Sequence, residues 1–318
     1  MEAPPGFAQA ARAVARALPG RSLASLQPLS GGVCNRVYRV TVDGAEDAFV
    51  LRIYARDPAS CAKELALHHL VSARVPVPEI LYAAPRGDGE TPPYLLMRWV
   101  RGVTFRELKS RADAPELAQA ASSMGAALAR IGEFSFPAPG RIGPALAIGA
   151  PLMEGSDPAP RFIEQCLASP VLARRMQEGL RGRVRQFAWQ WAPRLAALDK
   201  QTRLVHADFG SPNLILDRHT GRWRVVAVLD WEFAFSGTPL CDVAHALRYE
   251  RASRPRMEPH FSHAFRGHGG ELPEDWRALG RAADLTALCE CLTRTALPEE
   301  LVPEILELIQ ATVAYRRQ

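Results

Sequence analysis

One short stretch of the chain carries polar residues at a spacing that charge-neutralising chemistry requires. Residues 204–216 read Leu-Val-His-Ala-Asp-Phe-Gly-Ser-Pro-Asn-Leu-Ile-Leu: an apolar run, a polar loop and a second apolar run. Fourteen residues past Asn213 comes another apolar run, Ala227-Val228-Leu229, which ends on Asp230-Trp231-Glu232. The pattern is strand, loop, strand, turn, strand, with His206, Asp208 and Asn213 in the loop and Asp230 at the last strand end. His-x-Asp-x4-Asn followed by such a strand-terminal Asp is a spacing that can serve phosphoryl transfer from Mg-ATP. One Asp accepts or orients the proton of the attacking hydroxyl. The Asn and the second Asp hold the magnesium ions that neutralise phosphate charge. A packed histidine, a turn aspartate and a capping asparagine would explain the same letters without chemistry. The strand-like flanks and the downstream Leu-Asp-Trp-Glu favour the chemical reading.

Residues 205–213 and 228–232 together resemble the catalytic core of the aminoglycoside phosphotransferase family, which is related to choline kinases and more distantly to protein kinases. The resemblance implies Asp208 as catalytic base, Asn213 and Asp230 as ligands of Mg²⁺, and His206 as a brace for the loop. It also implies ATP as phosphoryl donor, with GTP possible, and a small-molecule hydroxyl as acceptor. Ala207 stands where protein kinases carry an Arg that pairs with a phosphorylated activation loop, so that mode of control is not expected.

These residues need a scaffold upstream. Residues 7–18 are Ala- and Arg-rich and amphipathic, and read as a first helix ending at Pro19-Gly20. Val37, Tyr38 and Val40 mark a strand preceded by Gly31-Gly32. A Gly pair there is a hairpin turn or a place where backbone N–H groups approach phosphate oxygens. The resemblance favours the second and makes Gly31, Gly32 and Asn35 part of a nucleotide-covering loop. Residues 48–54 form the next strand, with Arg52 where the kinase pattern expects a phosphate-binding Lys. A guanidinium meets the electrostatic task by bidentate contact, in a different geometry. An exposed strand Arg is the bland alternative. Residues 60–71 have helical periodicity through Leu65, His69 and Val71; Glu64 is either a solvated helix charge or the carboxylate that pairs with Arg52. Residues 93–102 form an apolar strand ending at a Gly, which resembles the family's hinge near 97–102, with Met97 or Trp99 walling the adenine ring.

Downstream, residues 104–111 and 114–131 are helical, 134–151 is a Gly- and Pro-rich loop, and 161–168 and 171–198 return to helical spacing. Trp189 and Trp191 are expected in the core or a pocket wall. Asp242 is a helix N-cap or, by the resemblance, a tether for the catalytic loop. Residues 251–318 read as helical with a break at 267–270, and hold nine Arg against ten Asp plus Glu. That near balance does not supply the carboxylate excess that a polycationic acceptor would favour.

The whole reads as an α+β, two-lobed protein-kinase-like fold with a small antiparallel-sheet N-lobe, residues 1–100, and a mainly helical C-lobe, residues 103–318. At 318 residues the chain is long enough for two lobes, and 47% hydrophobic with 23% charged residues suits a globular enzyme. The net charge of +5 is scattered, with no basic stripe interleaved with aromatics, so nucleic acid is not an expected partner. No apolar run is long enough for a membrane span, and six dispersed cysteines suit a reduced, cytoplasmic protein. Two other readings share these residues: a nucleotide-binding or regulatory module without transfer, permitted by Arg52, and a kinase acting on a protein hydroxyl. The retained Asp208, Asn213 and Asp230 weigh against the first. Ala207 and the short segment after Asp230 weigh against the second.

Overall fold

The computed structural model describes residues 6–29, 35–153, 155, 157–250 and 254–314. In chain order the elements begin with α1 (Phe7–Ala17), β1 (Leu23–Pro28), β2 (Arg36–Val42), β3 (Phe49–Ile53), α2 (Ala59–Val71), β4 (Ile80–Ala84) and β5 (Tyr94–Arg98). There follow β6 (Val103–Thr104), α3 (Phe105–Lys109), α4 (Ala114–Ile131), β7 (Gly140–Arg141), α5 (Pro158–Leu167), α6 (Pro170–Arg175) and α7 (Glu178–Leu198). The last are β8 (Arg203–Val205), β9 (Leu214–His219), β10 (Arg222–Val228), β11 (Phe235–Gly237), α8 (Leu240–Ala246), α9 (His260–Gly267), α10 (Trp276–Thr293) and α11 (Val302–Val313).

The described residues fall into two units. One takes those up to Ala112, Ile142–Ala147 and Ser211–Phe233; the other takes Asp113–Arg141, Ile148–Gly210 and those from Ala234 onward. The first unit is built on an antiparallel sheet of order β1-β2-β3-β5-β4. Side chains alternate across it with period two. Tyr38, Val40, Leu51, Ile53, Tyr94 and Leu96 bury one face together with Ala10, Ala13 and Val14 of α1. The same alternation sends Val50 and Arg52 to the opposite face, where the register sets them across from Met97 and Leu95.

The hairpin of β9 and β10 matters most for the site. Its two-residue loop, Thr220-Gly221, has φ of 50° and 79°, the left-handed pair that matches the twist of the flanking strands. That turn sets the register from His219↔Arg222 to Leu216↔Val225, and a one-residue bulge between Val225 and Ala227 then brings Leu214 opposite Val228. Asn213, just before one strand, therefore lies beside Leu229 and Asp230, just after the other. A bond from Leu229 N to Asn213 O, 2.9 Å, closes the pair.

The second unit is mainly helical. Gly125 of α4 lets α9 approach so closely that a Cβ there would stand 2.2 Å from Phe261 O. The helix expected over 171–198 is two helices, because Met176 and Gln177 are extended and Met176 is buried at the break. A short sheet of order β7-β11-β8 holds the strand that leads into the loop bearing Asp208.

Candidate active site

In the first unit the central residue is Arg52, whose side chain is nearly buried on the sheet face opposite α1. Its Nη2 donates to Asp230 Oδ1 at 2.6 Å and to Glu232 Oε2 at 3.3 Å, while its Nε lies 3.3 Å from Glu64 Oε2. Glu64 is also held by the Tyr54 hydroxyl, and Glu232 by Asn35 Nδ2 at 2.5 Å. Lys63 Nζ donates to the Glu232 carbonyl at 2.7 Å. Glu64, Asp230 and Glu232 thus share the Arg52 guanidinium, and Lys63 adds a second cationic group beside them.

Burial alone would lower the pKa of Arg52, but Glu64 and Asp230 outweigh it and hold it above its ordinary value. Burial pushes the Glu64 carboxyl up to about 8 despite Arg52, and Glu232 is raised first by burial and then by Asp230. The crowding of the Glu232 and Asp230 carboxyls is what a cation beside them would relieve. The hairpin brings Asn213, an amide, and Asp230, a carboxylate, to the ends of paired strands. Mg²⁺ takes such sparse oxygen ligands, its other positions filled by phosphate and water. Among the described residues no cluster of three or more His, Cys, Asp or Glu forms a closed protein cage for a metal. The donor set fits Mg²⁺ carried with a nucleotide.

In the second unit the loop after β8 turns through Ala207, which has φ 71°. A left-handed non-glycine residue costs free energy and persists only where its surroundings over-determine it. Here Asp242 does so: its carboxylate accepts from His206 N at 2.6 Å and Ala207 N at 2.8 Å. Asp242 is fully buried, and burial raises its pKa to about 7 against the lowering by those two bonds. His206, also fully buried, accepts from Asp208 N at Nδ1 over 3.2 Å and packs edge-on against Phe209. Asp208 is thereby aimed by its own backbone. His245 Nε2 lies 3.3 Å from Asp208 Oδ1. Burial and the nearby Arg248 lower the His245 pKa to about 4, so the ring is neutral at physiological pH.

Of the residues expected from sequence, Arg52, Glu64, Asn213 and Asp230 come together in the first unit, and Asn35 joins them through Glu232. Met97 is half-buried on the face shared with Val50 and Arg52. Trp99 follows β5, half-buried, with the Arg39 guanidinium 4.9 Å above its ring. Gly31 and Gly32 lie outside the described residues. Asp242 is not an N-cap; that position is Pro239. The buried face of α2 runs through Cys61, Glu64, Leu67 and Val71, whereas His69 is exposed. Glu64 can face inward because Arg52 and Tyr54 satisfy it. Trp191 is buried, but Trp189 is exposed, with its Nε1 on Glu164.

Sequence reasoning passed over Glu232 and His245. Glu232 stood in view within Asp-Trp-Glu. His245 is three residues after Asp242 on α8, hence on the same side of that helix.

A cavity of about 280 Å³ in the second unit is lined in part by Ala207 and His245. A larger one, about 940 Å³, is lined by Arg248, Glu250, Arg256 and Glu258 between α8 and α9 together with charged residues of α10 and α11, and by no described residue of the catalytic loop. No helix among the described residues is long and apolar enough to cross a membrane.

Residues 25–308 match the model of the phosphotransferase enzyme family. Hygromycin-B 4-O-kinase of Escherichia coli is 27% identical over 228 residues, which cover 70% of this chain and 62% of that protein. Acyl-CoA dehydrogenase family member 10 of Mus musculus is 44% identical over 57 residues, 18% of this chain but only 5% of the relative's length. The matched stretch is thus a small part of that relative. Among solved structures, a ternary complex of a thermostable mutant of aminoglycoside phosphotransferase APH(4)-Ia with ADP and hygromycin B aligns with TM-score 0.67 and 22% identity, covering 95% of this chain and 97% of that one. A GDP complex of aminoglycoside 2'-phosphotransferase-IIIa aligns with TM-score 0.70 and 17% identity, covering 97% of each chain. The fold is the two-lobed kinase-like one, with an antiparallel sheet in one lobe and helices dominating the other.

Proposed function

From the premise that the chain belongs to the phosphotransferase enzyme family, we propose that it transfers the γ-phosphoryl group of ATP to a hydroxyl of a small molecule. What carries the reading is the hairpin that sets Asn213 beside Asp230, following directly on a loop that holds Asp208 in a strained, tethered turn.

In this reading Asp208 orients the acceptor hydroxyl and takes its proton as the new O–P bond forms. Asp242 and His206 hold the loop so that Asp208 need not reorganise. Asn213 and Asp230 would hold Mg²⁺, which when bound supplies neutralisation of charge on the phosphates. Arg52, directed by Glu64, offers its guanidinium to phosphate oxygens. Met97, Trp99 and the segment with Gly31, Gly32 and Asn35 would enclose the nucleotide. The division into an N-terminal nucleotide lobe to about residue 100 and a C-terminal acceptor lobe belongs to the same proposal.

A second reading, a nucleotide-binding module without transfer, is favoured by one observation: Arg52 already holds an oxygen of Asp230. Asp208→Ala separates the two. Transfer should fall by roughly 10²–10⁴-fold, the usual contribution of a positioned acid or base, while ATP binding by calorimetry stays near wild type. Equal loss of binding and turnover would contradict the assignment of Asp208.

A further inference from the structure

We propose that the cavity against the catalytic loop takes a neutral, largely apolar alcohol as phosphoryl acceptor, not a polycationic aminoglycoside; this rests on the transferase reading above. The cavity, about 280 Å³, lies at the lower end of small-molecule pockets. Its described lining is dominated by apolar groups such as Pro151, Leu152, Met153, Leu198, Phe235 and Ala287.

Among the described lining residues only Asp199, Arg248 and Asp284 are charged, beside the neutral ring of His245. The Arg248 guanidinium is forked on Asp284, with Nε to Oδ2 at 2.8 Å and Nη2 to Oδ1 at 2.5 Å, so these two cancel. Asp199 alone is left, and burial with Asp157 nearby raises its pKa. One carboxyl cannot compensate for stripping water from several ammonium groups against an apolar wall. A neutral alcohol has no such cost, and its carbon skeleton gains from the same surface.

The hydroxyl end would lie against Ala207 and His245 of the lining, where His245 stands 3.3 Å from the Asp208 carboxylate. The acceptor O–H gives its proton to Asp208 as the oxygen bonds to the γ-phosphorus. The bond from that phosphorus to the β–γ bridging oxygen breaks, and ADP leaves with the electron pair. The proton on Asp208 then passes to water.

The test measures ADP release from Mg-ATP with cyclohexanol, benzyl alcohol and geraniol, and separately with kanamycin and hygromycin B. Wild type is compared with Ala287→Phe, which fills the cavity from an exposed position on α10. The Mg-ATP thermal shift of each protein is the independent readout. At least one alcohol should give kcat/KM about tenfold or more above both aminoglycosides, and Ala287→Phe should raise its KM by a similar factor with the thermal shift unchanged. Preference for the aminoglycosides, an unchanged KM in Ala287→Phe, or no alcohol-dependent release despite an intact Mg-ATP shift would each overturn the proposal. Absence of any Mg-ATP shift in wild type would instead overturn the transferase reading beneath it.

Discussion

The two regions proposed to act in transfer are built from opposite materials. Around Arg52 the first unit concentrates charge: Glu64, Asp230 and Glu232 crowd one guanidinium, with Glu64 also held by Tyr54 and Glu232 by Asn35. Around Asp208 the second unit isolates one carboxylate, supports it through buried backbone bonds, and opens onto a wall with little net charge. A phosphate-and-metal end needs dense, compensating charge. An acceptor end needs shape and one well-aimed base. The contrast teaches that the net charge of a lobe says little about its ligand, because what counts is which charges are already cancelled.

The contrast can be broken most forcefully at Arg52. Arg52→Met would leave three carboxyls without their central cation, and removing one partner of a buried ion pair costs about 3–5 kcal/mol. Chemical denaturation should register that loss, with ATP binding abolished, and Arg52→Lys should recover part of both by restoring the charge without the fork. If Arg52→Met were as stable as wild type, the cluster would not be the tensioned assembly described.

A smaller effect is expected in the second unit. Asp242→Asn keeps one acceptor for the loop but turns an amide NH₂ toward the other N–H. It should cost about 1–3 kcal/mol and lower kcat by roughly a hundredfold through misplacement of Asp208, with ATP affinity unchanged. A fall in ATP affinity alone would contradict the tether.

The subtlest test is the acid limb of stability. His245, facing Asp208, Arg248, Asp284 and His206, titrates near 4 in the folded protein against an ordinary 6.5. Below pH ~6.5 the unfolded chain takes up a proton that the folded protein refuses until pH ~4. The contribution is therefore complete above pH ~6.5 and lost as pH falls toward ~4. His245→Gln should flatten the melting-temperature profile across that window; an unchanged slope would show that His245 is not held neutral.

Much of this was written locally in the chain. His206, Asp208, Asn213 and Asp230 are legible because a strand, a loop and a hairpin are all short-range structures, and the hairpin register follows from one two-residue turn and one bulge between Val225 and Ala227. Arg52 and Glu64 were legible by position in the order of elements. The inward face of α2 was not, since apolar periodicity pointed to Leu65 and His69 while the buried carboxyl of Glu64 depends on Arg52 and Tyr54, partners on another element. Glu232 and His245 failed for the same reason. Their significance comes from what they touch, and one-dimensional spacing carries no record of that.

The most direct measurement of the central claim is a thermal shift with ATP, with and without Mg²⁺, on wild type and Asp230→Ala. Ligand that binds only the native state raises the melting temperature by mass action. The account predicts a Mg-dependent rise in wild type that disappears in Asp230→Ala, while any metal-independent part survives. A shift of equal size in both proteins, or none in wild type, would contradict the assignment of Asn213 and Asp230 as the metal-holding pair.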